Sequence, residues 1–444
     1  MNTANTSRAT QRGFQIFLTI WTAQLIARIG NGLTAFGLGV YLYQQTGLAT
    51  PVAMVTMAAF FPSVLLAPFA GVLADRIDRR LLMILGDSAS VIGLLLLVAT
   101  LQQNATTPII CACVILSSIC NSVMDPAYRA TVTDLLTPEE YARASGMVQL
   151  ASAAQYLLAP VVAGFLISKY NIVTLVTIDI CTMATTIICM VFIWKKVKTT
   201  PKETLGDFWS DFQFGIRFLS RERNILTLLW LITLVTFCMG FIQTLFTPLV
   251  LDLSNEQTLG MLTSLAASGM LVASILIGVF NMGNNHIRYL SIGLICAGIS
   301  VSCMGTSTYI VVIGIFAFLF FCSLPPMNTS LEVLVRSAIP NETQGRIWGL
   351  ISLLSQFGFI FAYAIAGPLV DHVFNPLLTP NGPLASSIGV FLGVGDTRGI
   401  GLLFIIVGIG MAVLGVQIRR NKNVYALQEN FLQQLDDAPP ATSH

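Results

Sequence analysis

Four charged residues inside long apolar runs are where this chain could do chemistry: Arg28, Asp87, Asp125 and Asp179. A charge at the centre of a bilayer costs about 2.5–3.5 kcal/mol on insertion scales, so each needs a partner or a task. A carboxylate in that setting can bind and release a proton, and an arginine can hold it in a buried ion pair. Arg28 lies about 21 Å along its run from Phe14, and Asp179 about 12 Å along its own, at 1.5 Å per residue. Asp87 and Asp125 lie nearer the ends of theirs. Arg28 with Asp179 or Asp87 reads either as a structural pair or as cavity residues that take a proton or touch a bound molecule. The second half has no acid deep in a run, Glu332 being at an end, so a proton-carrying side chain is expected in the first half.

A second concentration of charge is the block Gly71-Val-Leu-Ala-Asp-Arg-Ile-Asp-Arg-Arg80. Residues 50–70 before it carry no charge, and residues 81–101 after it carry only Asp87. So short a charged hairpin reads as the turn between two membrane-crossing helices. Uncharged polar residues inside the runs are Gln24, Asn31, Asn121, Gln149, Gln155, Gln243, Asn328 and Gln356. They either line a cavity or hydrogen-bond between helices. Apolar walls with few fixed charges suit an amphipathic small molecule.

The elements that must position these residues follow from composition. The chain is 55% hydrophobic and 10% charged, with mean hydropathy +0.78, far from the roughly one-quarter charged content of soluble domains. Its apolar residues fall in runs of about 20, the length of a transmembrane helix. Twelve runs are read, at 14–43, 50–73, 81–102, 107–127, 142–168, 171–194, 224–251, 257–281, 287–306, 309–329, 345–371 and 398–418. None alternates as a β-barrel strand would. The expected fold is therefore all-α and polytopic, with twelve transmembrane helices in two pseudo-symmetric six-helix bundles.

Of the 23 Lys and Arg, all but Arg28, Lys169 and Arg398 fall on one side of the twelve crossings. The positive-inside rule then puts both termini in the cytoplasm. The expected organisation is a cytoplasmic N-terminus at 1–13, bundles at 14–194 and 224–418, a cytoplasmic amphipathic linker at 195–223, and a disordered cytoplasmic tail at 419–444. The first run is read as a retained span and not a signal peptide. The basic side faces the cytoplasm, so the net charge of +2 implies no nucleic-acid partner.

Nine cysteines, an odd number, all lie in the runs without metal-type spacing. His286, His372 and His444 lie outside them, and no zinc-hydrolase, serine-hydrolase or phosphate-loop motif is present. No metal, cofactor or enzymatic activity is expected, and no filter-like motif suggests a channel.

The halves repeat. Pro126, Pro138, Glu140 and Gly164 are echoed by Pro326, Pro340, Glu342 and Gly367, and Pro-Glu-Glu-Tyr-Ala-Arg143 by Pro-Asn-Glu-Thr-Gln-Gly-Arg346. The second copy of the charged block, Gly278 to Arg288, keeps only its leading glycine and a trailing basic residue.

Three stretches carry a family resemblance: Gly71–Arg80; Asp-Pro-Ala-Tyr-Arg-Ala130 with Asp134 to Gly146; and Gly345-Arg-Ile-Trp-Gly349 with Gly367-Pro368. At these helix boundaries the chain resembles the major facilitator superfamily, best its branch of macrolide-efflux and enterobactin-exporter proteins. The resemblance implies a monomeric secondary transporter in a cell membrane, bacterial inner membrane for that branch. It would export an amphipathic drug, macrolide, siderophore or other natural product, driven by the proton gradient through antiport. A lysophospholipid carrier of the same fold is the alternative, and a non-transporting sensor or scaffold a third.

In the family the first acid of the block, here Asp75, faces the start of helix 11 near Gly345. A carboxylate gains roughly 0.3–1 kcal/mol at a helix N-terminus. This implies a cytoplasmic latch of Gly71, Asp75, Arg76, Arg79, Arg80 and Gly345, with Asp125 the expected partner of the arginines. Asp78 stands where the family usually has glycine.

Overall fold

Away from water every backbone N–H and C=O needs an internal partner, and a helix supplies all of them within one segment. The computed structural model describes residues 2–103, 105–137, 140–194, 208–280, 283–339, 343–395 and 397–436. Of residues 2–12, Asp75, Ala142, 208–211, 345–346, 430–431 and 434–436 it describes the backbone alone. Pro138, Pro340, Glu342, the linker's residues 195–207 and the tail's 437–444 lie outside the described residues.

Among the described residues, twelve helices are long and apolar enough to cross a membrane. The chain is an all-α polytopic membrane protein. Its helices are α1 (Asn2–Thr46), α2 (Ala49–Arg76), α3 (Arg79–Gln102), α4 (Thr107–Leu135), α5 (Tyr141–Leu157), α6 (Ala159–Lys169), α7 (Ile172–Ile193), α8 (Phe208–Arg221) and α9 (Arg223–Leu253). Then come α10 (Glu256–Phe280), α11 (His286–Thr306), α12 (Ile310–Ala338), α13 (Gln344–Leu369), the short α14 (Asn375–Leu377) and α15 (Gly389–Leu392), α16 (Arg398–Ile418) and α17 (Lys422–Asp436).

The chain divides into two compact units, one of residues 1–205 with 254–264, the other of 206–253 with 265–444. In the first, α1 packs against α5, α6 and α7, and α3 against α4 and α7. Leu42, Leu97, Ile110 and Leu175 form its core. In the second, α9 packs against α13 and α16, and α11 against α12 and α16. The same pairing of first with fifth and sixth, and third with fourth and sixth, recurs in each unit.

Two elements differ from the sequence expectation. The run at 142–168 is two helices, α5 and α6, separated at Leu158. Pro160 has no N–H to offer the Tyr156 carbonyl, and its ring crowds that turn. The tail expected to be disordered forms α17, because it has something to pack against. Val424 and Leu427 are buried, and α17 contacts α9, α11 and α12. Gln428 Nε2 donates to the Asn284 carbonyl at 2.6 Å, and its Oε1 accepts from the Ile287 N–H at 3.3 Å. Within the linker segment, α8 forms a helix that lies against α13.

The α11–α16 contact depends on glycine. Gly298 meets the Gly408 carbonyl and Gly408 meets the Gly298 carbonyl, and Gly305 and Gly401 repeat the arrangement seven residues along. A side chain at any of the four would meet backbone, so the helices approach closely, the usual route to tight packing where lipid offers no hydrophobic drive. Gly408→Ala should therefore destabilise the protein by roughly 1–3 kcal/mol through overpacking, read as a lower unfolding temperature in detergent. Gly410→Ala, whose new methyl would meet open space, should leave that temperature unchanged or raise it.

Candidate functional site

Asp179 and Asp87 are 1% and 2% exposed. Asp179 sits on α7 opposite Gly30 of α1. A Cβ on Gly30 would lie 3.0 Å from Asp179 Oδ1 and 3.1 Å from its Cα, so only glycine leaves room for the carboxylate. Asp179 Oδ1 is buried, and the buried hydroxyl of Thr34, one turn beyond Gly30, is a donor that faces its carboxyl. Asp87, on α3, accepts a short hydrogen bond from the Thr186 hydroxyl. Thr186 is two turns after Asp179, about 10 Å along α7. Both acids thus lie against one stripe of α7, with buried Met183 between. Neither forms an ion pair with a described residue.

Arg28 pairs with neither of the acids expected for it. Its Nη2 lies 2.6 Å from Asp125 Oδ1, and Arg129 Nε donates to the other oxygen at 2.9 Å. The reason is helical phase. Gly30 faces Asp179, and a residue two positions away points about 200° around the helix, so Arg28 is turned from α7 towards α4. The pair is also partly wet, with side chains 21% and 44% exposed, which lowers the desolvation cost of a buried ion pair. Below it, the Tyr128 hydroxyl is buried and unpartnered, as is Arg28 Nε.

The engagement of Asp125 by α1 and α4 corrects its expected place in the charged hairpin. Arg79 is buried and reaches down α4 instead, to the Ala130 carbonyl at 3.2 Å and to Asp134 in a short ion pair, with Nε on the Ala74 carbonyl at 3.3 Å. Arg80 lies over the Trp194 ring, its guanidinium carbon 4.7 Å from the centroid, and donates to the Trp194 carbonyl at 2.8 Å. Asp78 caps α3 by accepting the Arg80 N–H at 3.0 Å and holds the Arg80 Nε at 2.9 Å. The hydrogen bond from the Arg80 side chain keeps the Asp78 carboxyl below the usual carboxylate range.

Thus Arg79 and Arg80 are fastened within the first unit. Arg76 is exposed at the end of α2, and Gly71 lies in the last turns of that helix. The Asp75 side chain and the surroundings of Gly345 lie outside the described residues.

The uncharged polar residues do not form one set. Gln24 is 1% exposed, inside the bundle, with neither side-chain polar atom hydrogen-bonded. Gln243 accepts from the Tyr363 hydroxyl at 2.6 Å. Gln149, Gln243 and Asn328 are exposed, while Asn31, Asn121, Gln155 and Gln356 are half-buried.

Sequence reasoning missed Asp134 and Trp194. Asp134 had a readable signal: an acid in the last turn of a helix is disfavoured by the helix dipole, so it implies a nearby cation. Trp194 had none.

A sequence profile described as Major Facilitator Superfamily matches residues 20–363. Macrolide efflux protein A of Streptococcus pyogenes is 27% identical over 374 residues, covering 81% of this chain and 91% of that protein. Multidrug resistance protein 2 of Bacillus subtilis is 23% identical over 381 residues, 82% and 91% of the two chains. Among solved structures, the nucleoside transporter NupG superposes with TM-score 0.71 at 12% identity, over 92% of this chain and 100% of that one. A bacterial homolog of the human lysosomal transporter Spinster does so with TM-score 0.70 at 13% identity, over 97% and 99%. These last two likenesses concern the fold alone. A helical membrane fold of twelve spans, repeated pairing in its units and a profile match over most of its length together make this chain a member of the Major Facilitator Superfamily, a secondary transporter of small molecules.

Proposed function

We propose that this chain exports an amphipathic small molecule, of the macrolide, drug or siderophore kind, from the cytoplasm by proton antiport with alternating access. Both termini lie in the cytoplasm in this reading. The relation to macrolide efflux protein A over most of both chains supports the substrate class and direction. The observation that carries the coupling is the pair of acids buried in the first unit without a cation, while the nearby Arg28 is held by Asp125.

The reading follows from charge. A bare carboxylate in a low-dielectric interior is costly, and a bound proton removes the charge. Asp179, closed off by Gly30 and Thr34 in this conformation, carries a proton while it is buried. It releases the proton when the α1–α7 contact opens to water. Asp87, tied to the same α7 stripe through Thr186, responds to the same opening. Arg28, Asp125 and Arg129 pair with one another and give the partly wet side of α1 and α4 a polar face for an amphipathic substrate.

The charged hairpin divides its tasks in this reading. Arg79, Arg80, Asp78 and Asp134 anchor the α2–α3 turn, and Asp75 with Arg76 supplies the part that acts during transport.

Two outcomes are expected. In cells producing Asp179→Asn, expelling erythromycin against its gradient should fall at least tenfold, the scale of about 1.4 kcal/mol, at unchanged protein level. Outward flow down the gradient should persist. Uphill efflux equal to wild type, and abolished by an uncoupler in both, would remove Asp179 from the coupling. For the hairpin, Asp134→Ala leaves Arg79 buried without its carboxylate and should cost about 3 kcal/mol of stability, seen as a lower unfolding temperature. Asp75→Asn should leave that temperature unchanged and reduce transport.

A further inference from the structure

The second unit carries a groove of about 460 Å³ floored by α9 and walled by α13 and α16, within the roughly 300–1,000 Å³ range of small-molecule sites. Its depth is apolar, with Trp230, Leu234 and Phe237 on one stripe of α9, facing Phe361 and Leu414. Trp230 and Phe361 are 69% and 59% exposed. Along α9 it runs from Thr227 to Phe237, about 15 Å at 1.5 Å per residue, or half of a roughly 30 Å hydrocarbon core.

The polar lining is Thr227, Gln417 and Asn421 at one end, with Thr233 deeper and its hydroxyl donating to the Leu229 carbonyl at 2.8 Å. Asn423 Nδ2 donates to Thr227 Oγ1 at 3.1 Å, tying the start of α17 to this mouth. Around it stand the exposed residues Arg223, one turn before Thr227, and Arg419, Arg420 and Lys422, next to the lining residues Ile418 and Asn421. Glu222 is the one acid beside them in sequence between 221–227 and 417–424. None of these four cations forms an ion pair with a described residue.

We propose that this groove is a binding site for an anionic phospholipid, one acyl chain along α9 and the phosphate at the Arg223–Arg420–Lys422 mouth. Depth argues for a lipid, because the groove is one leaflet deep and opens between helices that cross the hydrocarbon. Trp230 stands one turn inside the mouth, where indole rings favour the headgroup boundary. Charge selects the headgroup, since basic residues at a membrane surface each strengthen anionic-lipid binding roughly fivefold. The site lies wholly within the second unit and does not rest on proton coupling or on the identity of the transported molecule.

The test is native mass spectrometry of the purified full chain, offered equal amounts of phosphatidylglycerol and phosphatidylcholine with matched acyl chains. Wild type should retain phosphatidylglycerol at least roughly fivefold over phosphatidylcholine. Arg223→Gln with Arg420→Gln should abolish the preference while phosphatidylcholine retention stays the same. Leu234→Trp, which fills the groove from an exposed position, should reduce retention of phosphatidylglycerol with every basic residue intact. Equal retention of the two lipids by wild type would overturn the proposal, as would a preference that survives both variants.

Discussion

Hydrocarbon cannot solvate charge, and the first unit is arranged around that constraint. It has a cation on α1, Arg28, and acids on α3, α4 and α7. The cation goes to Asp125, where both partners keep some contact with water. Asp87 and Asp179 are left inside with hydroxyls for company. The difference in exposure sorts the acids: one lies against guanidinium groups with some contact with water, and two are buried without a cation among the described residues. Gly30 makes the arrangement possible, because a side chain there would occupy the space of Asp179 and Thr182.

The same constraint shapes the ends of the helices. At the α2–α3 turn, three charged side chains emerge from apolar helices within three residues, and each described one is bound in place. Asp78 caps α3 and grips Arg80, Arg80 covers Trp194, and Arg79 enters the bundle to meet Asp134. In the second unit the equivalent block has lost its acids, and the glycines of α11 and α16 bring those two helices into close contact.

Much of this was legible in the sequence. Runs of about 20 apolar residues mark spans because a helix must cross the hydrocarbon, and charges such as Asp87 and Asp179 stand out against them. Which helix each charge faces was not legible. Arg28 and Gly30 are two residues apart and face opposite sides, and only packing determines which side meets α7. The break at Leu158 was equally hidden, since Pro62, Pro68 and Pro126 lie inside unbroken helices and membrane helices tolerate proline where neighbours satisfy the freed groups. The polar tail gave no sign of α17, whose burial of Val424 and Leu427 depends on helices far away in the chain.

The central claim is that Asp87 and Asp179 exchange protons as the carrier works. The most direct measurement is the pH change of a weakly buffered detergent solution of the purified protein when erythromycin is added. Substrate binding should expel protons from wild type, and the Asp87→Asn, Asp179→Asn double variant should bind erythromycin without releasing any. Equal proton release from wild type and the double variant would contradict the account.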